Sequence, residues 1–152
     1  MFEVTPELAR ETVVEGVRVP RRDGLDLRGD DFLSLALEQR VFGPRRLLVA
    51  FATAKGRVIG VAHTERTDPP EVALAFVVDF GLSRFKPRAA LAVAYCDEPV
   101  ALGPPPPDLA TRFMTARAIC ASRGVVLGEW VSCDDTIVRF ASITLNPERA
   151  MW

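Results

Sequence analysis

The stretch Ala89-Ala90-Leu91-Ala92-Val93-Ala94-Tyr95-Cys96-Asp97-Glu98-Pro99 is small and apolar without a break as far as Tyr95, then turns abruptly polar. An apolar residue at every position, instead of every second one, is the pattern of a strand buried on both faces. Ala89–Tyr95 therefore reads as a small, apolar, interior strand. The polar run opens a loop, Cys96 to Pro107, closed by the four prolines Pro104 to Pro107.

Working outward, Asp108 opens the clearest helix of the chain. Leu109, Phe113, Ala116, Ile119 and Cys120 form its apolar stripe, and Gly124 ends it. Val125–Ser132 and Thr136–Ser142 then read as a final hairpin around Cys133-Asp134-Asp135, with Trp130 and Phe140 as its core or edge aromatics. On the other side, Glu71 to Leu82 is apolar almost all round (Val72, Leu74, Phe76, Val77, Val78, Phe80, Leu82). Its length favours a helix over a strand, and so apolar a helix is expected to be buried between layers. Leu47–Ala52 and Arg57–His63 form a hairpin about Ala54-Lys55-Gly56.

Further upstream, Val13–Val19 reads as a short edge strand and Pro20–Gly29 as a polar turn region. Asp30 is placed to cap a helix running to Phe42, with Phe32, Leu33, Ala36, Leu37 and Val41 on one face and Gly43-Pro44 as its stop. The tail Asn146–Trp152 reads as an end-cap or a mobile end. Helices interleaved with strands and hairpins predict a layered α/β domain, a mixed sheet with flanking helices. No Gly-x-Gly-x-x-Gly follows the first strand and no phosphate loop is present, which argues against a dinucleotide or P-loop fold.

The chain of 152 residues fits a single domain, and 49% hydrophobic with 26% charged residues is a globular composition. A formal net charge of −1 gives no electrostatic drive toward nucleic acid or an anionic membrane. A local basic face built from Arg21, Arg22, Arg45 and Arg46 is the exception to that balance. Three cysteines, Cys96, Cys120 and Cys133, with no Cys-x-x-Cys spacing, argue against a disulfide framework and a zinc ribbon. The opening Met1–Glu7 lacks the basic-then-apolar pattern of a signal peptide, and no apolar run is long enough to span a bilayer. A cytoplasmic location is expected.

The order of elements, and several landmarks in it, resemble the JAB/MPN domain of the RadC-like family, whose layering is cytidine-deaminase-like. Gly56-Arg57-Val58-Ile59 resembles the family's turn and second hairpin strand, Pro70-Glu71-Val72 the start of its middle helix, and Ala92–Tyr95 the strand into its metal loop. Thr111–Phe140 is similar to its long helix and terminal hairpin, so the likeness covers roughly residues 28 to 143. Cys96-Asp97-Glu98-Pro99 stands where the family carries His-x-His-Pro, and only the proline is kept. Asp108 matches the third ligand and Glu65 the water-activating glutamate; His63, the single histidine, falls two residues before it.

The resemblance implies a zinc site altered at both histidines, with Cys96, Glu98 and Asp108 as the metal-ligand candidates and Glu65 as the candidate general base. Two carboxylates and a thiolate would donate more strongly than neutral imidazoles and make bound water less acidic. The reading that follows is a non-catalytic, protein-binding or scaffold domain without a cofactor, pairing with another protein or with a second copy of itself. Two alternatives stand beside it: a zinc-dependent peptidase or isopeptidase using Cys96, Glu98, Asp108 and Glu65, and a DNA-repair accessory. Each candidate also has a plainer role. Asp108 caps a helix, Cys96 is a small core residue, Glu65 and Glu98 are solvated, and His63 is exposed or half-buried at a strand end. If the resemblance holds, Glu65, Cys96 and Asp108 converge at one end of the sheet. The proline run reads as a stiff loop, with recognition by a partner in polyproline form as the alternative.

Overall fold

The computed structural model describes residues 3–4, 12–14, 17–19, 45–85, 87–100, 103–134 and 138–142. Its strands are β1 (Glu3–Val4), β2 (Thr12–Val14), β3 (Val17–Val19), β4 (Arg46–Ala52), β5 (Val58–Glu65), β6 (Leu91–Asp97), β7 (Val126–Cys133) and β8 (Val138–Phe140). Two helices, α1 (Pro70–Phe85) and α2 (Leu109–Ala121), alternate with the later strands. The main sheet runs β1-β5-β4-β6-β7-β8. It is mixed: β6 and β7 are parallel, and every other neighbouring pair is antiparallel. The chain is thus an α/β fold, as the alternation of elements predicts. The Asp30–Phe42 helix, the Pro20–Gly29 turn, the Asn146–Trp152 tail, Arg21 and Arg22 lie outside the described residues.

Continuous apolar runs become central strands because both sides of a buried strand must meet apolar groups. Leu47 to Ala52 and Leu91 to Cys96 are buried throughout, with β4 and β6 side by side at the centre of the sheet. Cross-strand pairing sets the faces. Leu47 pairs with both Thr64 and Cys96, and Val49 with Ala62 and Ala94. These residues share the face covered by α1 and α2, where Ala73, Leu74, Val77, Val78, Leu109, Phe113, Ala116 and Cys120 complete the core. Leu48, His63 and Tyr95 occupy the other face, again in register.

Helix α1 lies close to the sheet because two glycines leave room for rings. A Cβ at Gly81 would overlap Phe51, and one at Gly60 would overlap Phe85. The two rings pack 5.6 Å apart between centroids, tilted by 43°. This close approach offsets the usual cost of glycine inside a helix.

Several expectations change. Val13–Val19 is not one strand but an antiparallel pair, β2 and β3, with Val14 facing Val17. Helix α1 is not buried all round: Val72 is 48% and Phe76 59% exposed. His63 is fully buried rather than exposed or half-buried, because its strand runs on to Glu65 and its side faces Leu48. The final hairpin forms as β7 and β8, but Ala141 and Ser142 already turn helical.

Candidate functional site

Strands β6 and β7 are parallel, so both end at the same edge of the sheet, as Cys96–Asp97 and Ser132–Cys133. In open α/β sheets the crevice beyond the carboxyl ends of parallel strands is the natural place for a site. Helix α2 begins beside this edge, and Arg112 of its first turn reaches back over it. Its Nη1 lies 2.6 Å from Glu98 Oε1, its Nη2 3.3 Å from Asp108 Oδ2, and its Nε 3.7 Å from Glu71 Oε1. One guanidinium thus joins the first turn of α1, the loop after β6 and the start of α2.

Glu98 is the centre of this arrangement. Its backbone N–H donates to Cys133 O at 3.1 Å, extending the β6–β7 ladder by one residue. Its Oε2 accepts from Ser132 Oγ at 2.7 Å and from the buried Trp130 indole N–H at 3.4 Å. The Glu98 carboxylate is therefore shared between the cation on one side and two neutral donors on the other. The side chains of Arg112 and Glu98 are only 16% and 11% exposed, so solvent screens their attraction weakly. Burial disfavours the charged guanidinium, but Glu98, Asp108 and Glu71 together outweigh it and raise its pKa.

The remaining candidates fall into place around this cluster. Cys96 is fully buried beside Leu47, and burial, reinforced by the Glu98 charge, pushes its thiol well up, against the pull of Arg66 and Arg112. It is a protonated core thiol. Cys120 is also pushed up, to about 12, by burial. Asp108 occupies the cap position of α2 but makes no capping hydrogen bond; its carboxylate turns to Arg112 instead. The backbone at Asp108, φ −90° and ψ 0°, is not the extended conformation of a capping residue. Glu98 is not a solvated loop residue, for its carboxylate is packed against β7.

Glu65 does not join them. It pairs with Arg46, two positions beyond the Leu48–His63 pair, and so lies on the face opposite Cys96, exposed. Side chains alternate along a strand, so the even step from His63 to Glu65 keeps it on the His63 side. The sheet brings Glu65 and Cys96 to one end and separates them by face; Glu98 and Asp108 meet, and Glu65 is excluded. The expected three-way convergence fails at the general base.

Zinc needs several ligands within about 2.0–2.3 Å, deprotonated where they are thiols. Glu98 and Asp108 are held by Arg112, and Cys96 is packed in the core. Among the described residues no group of three or more His, Cys, Asp or Glu side chains stands where it can hold a metal ion. Sequence reasoning missed Arg112 itself. The Asp108–Arg112 spacing of four on a helix was the available local signal, but nothing in the spacing points to Glu98 or Glu71.

No helix among the described residues is long and apolar enough to cross a membrane. No family model matches the chain, and no curated protein or solved structure does either.

Proposed function

We propose that this chain is a non-catalytic binding domain, a layered α/β scaffold whose sheet edge is closed by an ion-pair cluster in place of a metal centre. The observation that carries this reading is the Arg112–Glu98 pair at 2.6 Å. It engages the carboxylate best placed to act as a ligand, and it does so with a cation that never deprotonates at physiological pH. The order hairpin, helix, strand, helix, hairpin supports the layering. Glu65 lies on the face opposite Cys96, which counts against the family's arrangement as well as its chemistry, so only the layered α/β order is kept from the resemblance. A peptidase would need a carboxylate base within reach of an activated water; Glu65 on the far face does not supply one. The partner is a protein, and nothing in the net charge favours DNA.

Metal analysis of protein purified without added metal tests this reading. Less than about a tenth of an equivalent of zinc is expected, given the ligand requirement. Stoichiometric zinc that disappears in Cys96→Ser would overturn it and restore the hydrolase alternative.

A further inference from the structure

We infer that Pro104–Pro107 is a docking element, a turn of polyproline helix presented between β6 and α2 that inserts into an aromatic-lined groove of a partner protein. This rests on the reading above that the chain works by binding protein, and it names the surface that does so. The loop leaves β6, which is buried from Leu91 to Cys96, yet Gly103 to Asp108 are exposed without exception. A proline fixes its own φ and bars the residue before it from the helical region. Pro104, Pro105 and Pro106 are each followed by proline, so both torsions of all three are confined to the polyproline region. The peptide bonds into the four prolines are trans. The run then ends in a defined turn. Leu109 N–H donates to Pro106 O at 3.1 Å, and Asp108 has φ −90° and ψ 0°. Pro106–Leu109 is therefore a type I turn, with Pro107 at the position that favours proline. One polyproline turn takes about three residues, so the rings of Pro104 and Pro107 stand on the same edge, about 9 Å apart.

Two further observations point to a partner and to its chemistry. Among the described residues, no donor reaches the carbonyls of Pro104 and Pro105. The exposed turn thus offers apolar rings and acceptors with no donor of its own. Tryptophan and tyrosine answer that pattern, each joining an apolar face to one N–H or O–H. Nucleic acid does not, because its phosphates need donors. The second observation is that the turn is tied at both ends. Arg139 Nη2 donates to Gly103 O at 3.3 Å, and the Pro106–Leu109 bond closes the other side. A segment already ordered loses little further freedom on binding, which favours association. Asp108, 64% exposed, sets a negative charge directly after the run. A groove with a basic group at that end reads the run in one direction only.

The experiment titrates the chain into a panel of isolated proline-binding modules, WW domains among them, each an aromatic-lined groove. Binding is read from chemical-shift changes in the labelled module, with oligoproline as competitor. At least one module should bind with a Kd below about 1 mM and release the chain to oligoproline. Pro104→Ala combined with Pro107→Ala should weaken that binding by at least about tenfold. Pro105→Ala, whose ring lies on another edge, should weaken it less. Circular dichroism should show both variants folded, because the rings removed are exposed. If the double variant does not fold, Pro104→Ala alone, clear of the turn, carries the comparison. Binding by no module, binding that oligoproline does not displace, or a folded double variant that binds like wild type would overturn the inference. Such a failure in zinc-free protein leaves the scaffold reading standing. Stoichiometric zinc with proline-dependent binding intact would overturn that reading alone.

Discussion

Arg112 and Glu98, fourteen residues apart, meet at 2.6 Å with both side chains largely buried, and through them α2 is tied to the end of β7. Removing one partner of such a pair leaves the other charge poorly solvated. Full burial would place that loss at the top of the usual range, but each side chain keeps some contact with water. Arg112→Ala is therefore expected to cost roughly 2–4 kcal/mol. Equilibrium denaturation of the two alanine variants and their double variant should show a coupling of about 1–3 kcal/mol. Additive losses would mean that the pair contributes only through separate contacts.

Asp108 makes the opposite case. Its side chain is 64% exposed and reaches Arg112 at 3.3 Å without capping α2. Its loss should cost roughly 0.5 kcal/mol or less, in the range of exposed ion pairs. Asp108→Ala and Asp108→Asn should be equally mild. A working cap would instead make asparagine clearly better tolerated than alanine, and thermal denaturation of the two variants decides.

Gly81 is expected to resist the usual benefit of alanine in a helix. Alanine gains up to about 1 kcal/mol of helix propensity, but its Cβ would overlap the Phe51 ring, and overpacking costs about 1–3 kcal/mol. The clash should win in wild type. In a Phe51→Leu background, where the ring is gone, Gly81→Ala should become neutral or stabilising. A Gly81→Ala variant more stable than wild type would show that α1 can move away freely.

Glu129 predicts a pH dependence. It is fully buried, and it accepts hydrogen bonds from the Trp130 N–H, the Ser142 N–H and the Ser142 hydroxyl. Burial raises its pKa even though these donors pull the other way. A carboxyl whose folded pKa is raised binds its proton more tightly folded than unfolded. Its contribution is then fully present below the ordinary carboxylate pKa and is lost as pH rises through the folded value. Unfolding free energies measured from about pH 4 to about pH 8 should fall with pH more steeply in wild type than in Glu129→Gln. Parallel curves would refute the assignment.

Much of the fold was legible because it is written locally. The unbroken apolar run Ala89–Tyr95, the turn at Ala54-Lys55-Gly56 and the stripe Leu109, Phe113, Ala116, Cys120 each report the surroundings of their own element. They gave the hairpins, both described helices and the central strand, with β6 shifted to Leu91–Asp97. The same local pattern overstated the burial of α1 at Val72 and Phe76, because an apolar side chain can be buried without having to be. Only the tertiary structure decided the site. Which face Glu65 takes depends on the register of β5 against β4, and a strand read alone does not carry its register. Whether Asp108 caps its helix depends on the backbone conformation it takes in the fold, φ −90° and ψ 0°. The meeting of Glu71, Glu98 and Arg112 joins segments far apart in the chain. Periodicity fixes which residues share a face of one helix or strand; it holds no information on which faces of separate elements pack together, and it is that packing which brought the Arg112 guanidinium against Glu98 at this sheet edge.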